Sequence, residues 1–237
     1  MSIAFSILSV GEEHNNELFN LLSTLGNKDV YIYTDVKNGF GLKHQIIFDD
    51  GGEFNFNKKV YALESALEYN DTIICLDTDI SIRNELSFEK LEELDTGLYV
   101  SWMGKSQTHK GKKTSIYQIF QGNADKELVD YVNSLIPYGA NVDNLYFFDE
   151  FVFIVVIKDK NLKTKFIDTW KKIYLETETF QPLDRHKNEL RGACESIIIS
   201  LVCDVCGIKL IDDNPIVKLQ LTHILHNATV TEKRNIL

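Results

Sequence analysis

The chain has few cysteines and a deficit of positive charge, and each of these shortages excludes a class of protein. Its 237 residues carry 35 acidic and 25 basic side chains, for a net charge of −10. This charge argues against broad binding to nucleic acid or to anionic membranes. The four cysteines are Cys75, Cys194, Cys203 and Cys206. They lie in apolar segments, which is typical of reduced thiols in a core and not of redox or zinc sites.

Long apolar runs are also lacking. No stretch approaches 18 consecutive apolar residues, so no membrane span is expected. The apolar N-terminal segment is short and has no basic start, and we interpret it as a first strand, not as a signal peptide. A cytoplasmic location is the resulting expectation. We find no internal repeat or linker-like composition, which predicts a single domain over 1–237.

What the sequence does contain is an alternation of strand and helix patterns. Predicted strands cover 3–10, 30–34, 44–48, 73–76, 97–102 and 208–211, and predicted helices cover 15–25, 57–69, 125–136, 161–177 and 193–206. This order predicts an α/β fold with a mostly parallel sheet flanked by helices. Ligands bind beyond the carboxyl ends of such strands. The ends at 9–11, 34–35 and 77–79 should therefore converge on one cleft.

The most informative segment is a buried strand that leads into two carboxylates, Asp77 and Asp79. Residues i and i+2 of a strand point to the same side, so both side chains would face one ligand. Buried carboxylates are costly unless a positive group meets them, and oxygen ligands suit Mg²⁺ or Mn²⁺. The alternative is a strand-end turn with two solvated aspartates.

Four further groups of residues are candidates for a site. Asp149, Glu150 and Glu195 are acids within apolar segments, which predicts either a role in acceptor binding or catalysis, or pairing with a lysine or arginine such as Arg185 or Arg191. Two lysines, Lys58 and Lys59, open the helix before the Asp77 strand, either against a ligand or as a solvated helix start. His223 and His226 near the C-terminus are either metal ligands or structural histidines. The lysine-rich segment 104–115 is either a solvated loop or a lid over phosphates.

The segment 66–82, Ala-Leu-Glu-Tyr-Asn-Asp-Thr-Ile-Ile-Cys-Leu-Asp-Thr-Asp-Ile-Ser-Ile, resembles the metal-binding segment of nucleotide-sugar-dependent glycosyltransferases with the GT-A fold. The resemblance implies a GT-A-like mixed, mostly parallel sheet. A Rossmann-like nucleotide-binding half would span 1–102, and an acceptor half with the C-terminal tail 103–237. It also implies that Asp77 and Asp79 bind Mn²⁺ or Mg²⁺. The implied donor is a nucleotide sugar, with a UDP-sugar as the first candidate, and the implied acceptor is a glycan or another hydroxyl compound.

Later segments resemble the retaining branch of these enzymes, which includes glycogenin, lipopolysaccharide galactosyltransferases and the histo-blood-group transferases. Residues 146–153 are similar to their aromatic acceptor-site strand. Cys194-Glu195-Ser196 is similar to an Asp-Glu-Ser motif with Cys194 in place of the aspartate, which favours Glu195 over Asp149 and Glu150 at the catalytic centre. The resemblance implies His226 as a further metal ligand. The residues implied in donor binding are Ser9, Val10, Asp35, Lys58, Lys59 and Asp77.

Other functions are compatible with parts of this pattern. A haloacid-dehalogenase-type phosphatase also has an Asp-x-Asp after an apolar strand, but that motif usually lies near the N-terminus. A nucleotidyltransferase would need a Gly- and Lys/Arg-rich loop after the first strand, which is missing here. A protein that binds nucleotide sugars without turnover is a non-catalytic alternative.

Overall fold

The computed structural model describes residues 2–36, 44–48, 56–82, 88–100, 133–140, 145–146, 148, 151–177, 194–215, 221–223 and 228–229. Its strands are β1 (Ile3–Ser9), β2 (Asp29–Thr34), β3 (His44–Phe48), β4 (Thr72–Leu76), β5 (Ile80–Ile82), β6 (Gly97–Val100), β7 (Val152–Val156), β8 (Leu210–Ile211), β9 (Leu221–His223) and β10 (Ala228–Thr229). Its α-helices are α1 (Glu12–Thr24), α2 (Lys59–Tyr69), α3 (Glu89–Glu92), α4 (Lys160–Thr177) and α5 (Cys194–Cys206).

The described strands form one large mixed sheet and one small sheet. The large sheet has the order β3-β2-β1-β4-β7-β6-β8, and the small sheet has the order β10-β9-β5. In the large sheet β1 runs parallel to β2 and β4, β2 is parallel to β3, and β6 is parallel to β8. Only β7 runs antiparallel to its neighbours β4 and β6. The predicted α/β fold with a mostly parallel sheet is therefore confirmed.

Helices cover both faces of the large sheet, and the alternation of side chains along β4 shows how. Ile73 and Cys75 pack in one buried cluster with residues of α2, α4 and α5. Ile74 and Leu76 point the other way and pack with residues of α1. Because successive residues of a strand face opposite sides, a strand that is apolar at every position is buried on both faces. The helices α1 and α2 therefore lie on opposite faces of the same strand.

Most predicted elements lie close to the described ones, but α1 begins three residues earlier than its apolar pattern indicates. It follows Gly11, which has a φ of 95°, a conformation that L side chains rarely adopt. The amide of Asn15 donates to the Gly11 carbonyl oxygen at 3.0 Å, which closes the first helical turn. The chain thus turns sharply after β1 and enters the helix at once.

A second difference concerns the two aspartates. The strand β4 ends at Leu76, and Asp77-Thr78-Asp79 forms a turn between β4 and β5. The Asp77 amide donates to the Phe151 carbonyl oxygen at 3.0 Å, and the Ile80 amide donates to the Asp77 carbonyl oxygen at 3.4 Å. Strand periodicity therefore does not apply to Asp77 and Asp79, because these residues are not in a strand, and the prediction that both carboxylates face one ligand has to rest on the geometry of the turn.

The described cysteines behave as the sequence predicts. Cys75, Cys203 and Cys206 are free and buried. Burial raises the pKa of the Cys75 and Cys203 thiols, which keeps them protonated and poorly nucleophilic. Among the described helices, none is long and apolar enough to cross a membrane.

Candidate active site

Three parallel strands end at the same edge of the large sheet. Ser9 at the end of β1 pairs with Thr34 at the end of β2. Ile7 of β1 pairs with Leu76, the last residue of β4. The residues that follow the three ends are Val10, Asp35 and Asp77. This edge is where an open α/β sheet binds its ligands.

A hydrogen-bond network centred on Asn15 joins the ends of β1 and β2. The Asn15 amide oxygen accepts from Ser9 Oγ at 2.7 Å and from Thr34 Oγ1 at 3.3 Å. Its amide nitrogen donates to Asp35 Oδ1 at 2.9 Å, and the Gly11 amide donates to Asp35 Oδ2 at 3.0 Å. Ser9 and Asp35, predicted to bind the donor, thus hold the β1–α1 turn in this structure. We did not predict Asn15, although its spacing to Leu18 puts a polar residue on the buried stripe of α1.

Replacing Asn15 with alanine should lower the free energy of unfolding by about 1–3 kcal/mol, because the buried hydroxyl of Ser9 would lose its acceptor. Chemical denaturation followed by circular dichroism would measure the loss. Asn16→Ala is a matched control, since Asn16 lies next to it in α1 and is exposed. Equal stability of the two variants would contradict the structural role of Asn15.

Lys59 links the Asp77 turn to Glu195. Its ammonium nitrogen lies 2.6 Å from Asp77 Oδ1 and 3.0 Å from Glu195 Oε1. The side chains of Lys59 and Glu195 are 5% and 2% exposed, whereas Asp77 is 26% exposed. Lys59 is the first residue of α2 and Glu195 lies in the first turn of α5. Packing of these two helices on one sheet face therefore brings together residues that are distant in the sequence.

The charge of Lys59 is set by its two partners. Burial alone would lower the pKa of this ammonium, but Asp77 and then Glu195 raise it above its ordinary value. Lys59 is thus a permanent cation between two carboxylates. The alternative of a solvated helix start is wrong for both lysines, because Lys58 is buried as well. The predicted pairing of Glu195 with a basic residue is found, and its partner among the described residues is Lys59.

On the other sheet face, α1 contacts the same turn through Thr78. The Thr78 hydroxyl is buried and donates to Glu17 Oε2 at 2.8 Å. The His14 Nδ1 atom lies 3.2 Å from Thr78 Oγ1 and 3.4 Å from Glu17 Oε2. Neither Glu17 nor His14 was predicted, and no sequence signal marks them, because both lie in a polar stretch of an amphipathic helix.

Asp79 is buried, with 9% of its surface exposed, and it precedes β5. This short strand pairs with β9 from the C-terminal part of the chain, and Ile80 lies opposite His223. The backbone of β9 therefore runs beside β5, and its last residue, His223, lies next to the end of the Asp77–Asp79 turn. Only tertiary structure shows this proximity, since the two segments are distant in the sequence.

Several predicted residues lie outside the described part of the chain. They are Asp149, Glu150, His226, Arg185 and Arg191, together with the lysine-rich segment 104–115. Their roles remain predictions. The same holds for the division of the chain into two halves.

The chemistry of the turn fits a hard divalent cation in part. Asp77 and Asp79 supply carboxylate oxygens of the kind that Mg²⁺ and Mn²⁺ prefer. One oxygen of Asp77 already contacts Lys59, and Asp77 is partly exposed to solvent. Among the described residues, no three His, Cys, Asp or Glu side chains form a group that could hold a metal ion. A cation on the two aspartates would therefore need further oxygens, such as those of a bound diphosphate.

Comparison with known proteins does not assign a family or a function to the chain. No protein-family model matches the chain, and no curated protein matches it. The function therefore has to be inferred from the residues at the carboxyl edge of the sheet.

Proposed function

We propose that the chain is a metal-dependent glycosyltransferase that moves a sugar from a nucleotide-sugar donor to a hydroxyl of a glycan or another acceptor. The preferred donor is a UDP-sugar, and the transfer retains the anomeric configuration. The observation that supports this most is the pair of contacts that Lys59 makes with Asp77 and Glu195. The sequence suggested these three residues separately, from different segments. Their meeting in one buried cluster beyond a parallel strand is expected of an active site and not of a solvated surface.

Within this proposal the two aspartates hold the cation. Asp79 and Asp77 would bind Mn²⁺ or Mg²⁺ together with the donor diphosphate, and the bound ion would neutralise charge on the leaving nucleoside diphosphate. Asp79 is buried, which shields its carboxylate from bulk water. Lys59 contacts one oxygen of Asp77 and so orients this carboxylate. Asp77 is still partly exposed, which leaves it accessible to a ligand.

Glu195 supplies the carboxylate near the anomeric carbon. A retaining transfer passes through a centre with oxocarbenium character, which a nearby carboxylate stabilises. The ammonium of Lys59 lies 3.0 Å from this carboxylate. In the proposed reaction Glu195 acts as a nucleophile or electrostatic stabiliser and not as a proton donor.

Replacing Asp79 with alanine tests the proposal directly. Calorimetric titration of a panel of nucleoside diphosphates should show binding that requires Mn²⁺, and Asp79→Ala should weaken it by about 100-fold, because a charged ligand to the ion is lost. Hydrolysis of the matching nucleotide sugar should fall in parallel. Asp71→Ala is the matched control, since Asp71 lies just before β4 at the opposite end of that strand and pairs with Lys163.

Three outcomes would contradict the proposal. Equal Mn²⁺-dependent binding by the wild type and Asp79→Ala would show that Asp79 is not a ligand of the metal ion. Turnover of an aryl phosphate that Asp77→Asn abolishes would instead indicate a phosphatase. Binding without any donor hydrolysis or transfer would leave the non-catalytic alternative.

A further inference from the structure

We infer that Thr78 and Glu17, assisted by His14, are positioning residues that fix the geometry of the Asp77–Asp79 turn for its ligand. This inference rests on the proposed function, because it assigns these residues a role at the same site. Neither Glu17 nor His14 would touch the ligand. They act through the hydroxyl of Thr78, the residue between the two proposed metal ligands.

The hydrogen bonds of Thr78 define the direction of each contact. A threonine hydroxyl has one proton, and at 2.8 Å it is donated to the Glu17 carboxylate, which can only accept while ionised. The 3.2 Å contact between Thr78 Oγ1 and His14 Nδ1 then requires the proton on the histidine nitrogen. The same Nδ1–H group also points toward Glu17 Oε2 at 3.4 Å. His14 thus supports both the hydroxyl and the carboxylate that holds it.

The turn is held from both faces of the sheet. Asp77 contacts Lys59 of α2, whereas the adjacent Thr78 contacts Glu17 of α1. The helices α1 and α2 pack on opposite faces of β4. The ion pair of Asp77 and the hydrogen bond of Thr78 therefore hold neighbouring residues of the turn from opposite sides of the sheet. Rotation of the turn would break one bond or the other. The position of Asp79, the next residue, is thereby restricted before any ligand arrives.

Such preorganisation has a measurable consequence for ligand affinity. Residues that orient metal ligands without touching the ion change affinity by about 10- to 100-fold when they are removed. Thr78 is 3% exposed and cannot exchange its partner for bulk water without a rearrangement of the turn. Loss of its hydroxyl should therefore weaken cation binding even though both carboxylates are still present.

Two substitutions at Thr78 separate the hydroxyl from the shape of the side chain. Thr78→Val keeps the shape and removes the hydroxyl, and it should weaken Mn²⁺ binding in the presence of UDP by about 10- to 100-fold. Thr78→Ser keeps the hydroxyl and should restore affinity to near that of the wild type. Electron paramagnetic resonance of free Mn²⁺ and calorimetry would measure affinity without activity. The melting temperature of each variant would show that it is folded.

Glu17→Gln provides an independent variant, because it removes the charge at a residue that is only partly buried. It should also weaken Mn²⁺ binding, and the double variant Glu17→Gln/Thr78→Val should be no weaker than Thr78→Val alone, since both act through one hydrogen bond.

The results distinguish this inference from the proposed function. If the wild type binds no Mn²⁺–UDP, both fail. If Asp79→Ala loses binding while Thr78→Val and Glu17→Gln bind as the wild type does, the metal site remains and the positioning role is overturned. The role is also overturned if Thr78→Ser is as weak as Thr78→Val, because keeping the hydroxyl would then not maintain cation binding.

Discussion

Replacing Lys59 with methionine should lower the free energy of unfolding by about 3–5 kcal/mol. Methionine fills a similar volume, so the loss arises from the charge and not from a cavity. The substitution removes the ammonium between Asp77 and Glu195, and Glu195 is almost fully buried. Removing one partner of a buried ion pair is strongly destabilising because the remaining charge keeps its desolvation cost. Urea denaturation of the two proteins would measure the difference.

Two further variants identify the cause of this loss. Lys172→Met makes the same change at an exposed position of α4 and should alter stability by less than about 0.5 kcal/mol. The double variant Lys59→Met/Glu195→Gln should recover at least about 1 kcal/mol relative to Lys59→Met, since it removes one of the two carboxylate charges. Strictly additive losses would contradict the interaction between Lys59 and Glu195.

The pH dependence of this stabilisation follows from the direction of the pKa shift. The folded protein raises the pKa of Lys59 above its ordinary value of 10.5, so the folded state holds this proton more tightly than the unfolded state. The contribution is therefore fully present below about pH 10.5 and is lost as the pH rises above that value. Below that value the titration of Lys59 itself adds no pH dependence to the stability of the wild type.

The second large effect is expected at Glu195. Replacing it with glutamine should lower kcat for donor hydrolysis or transfer by about 100- to 1,000-fold and leave donor binding nearly unchanged. Glutamine has the same shape, and its carbonyl oxygen can still accept from Lys59, but it cannot stabilise a developing positive charge as a carboxylate does. A loss in kcat without a rise in KM is the mark of an interaction made mainly in the transition state.

Steady-state kinetics with a nucleotide sugar and Mn²⁺ would measure both parameters. Glu92→Gln is the control. It makes the same chemical change at an exposed residue of α3, away from Lys59, Asp77 and Glu195. An unchanged kcat in Glu195→Gln would exclude this residue from the reaction. A parallel loss of donor affinity would show instead that Glu195 has a structural role at the binding site.

The sequence was sufficient for the main elements because apolar periodicity is a local property. Each residue of β4 is apolar or small enough for burial on both faces, and Leu63 and Leu67 repeat at helical spacing along α2. The order of these elements then restricts the topology to a mostly parallel sheet. The periodicity argument for the two carboxylates does not apply beyond the strand end, because strand periodicity holds only while the chain remains in the sheet and β4 ends at Leu76.

By itself, therefore, the sequence determined the α/β architecture and drew attention to Asp77, Asp79 and Glu195 as acids in apolar surroundings and to Lys59 as a cation at a helix start. Only the tertiary structure decided that one lysine joins Asp77 to Glu195 and that α1 holds Thr78 from the opposite face. The reason is physical. A periodic pattern reports which face of an element is buried, whereas the partner of a buried charge depends on how distant elements pack, and no local pattern encodes that choice.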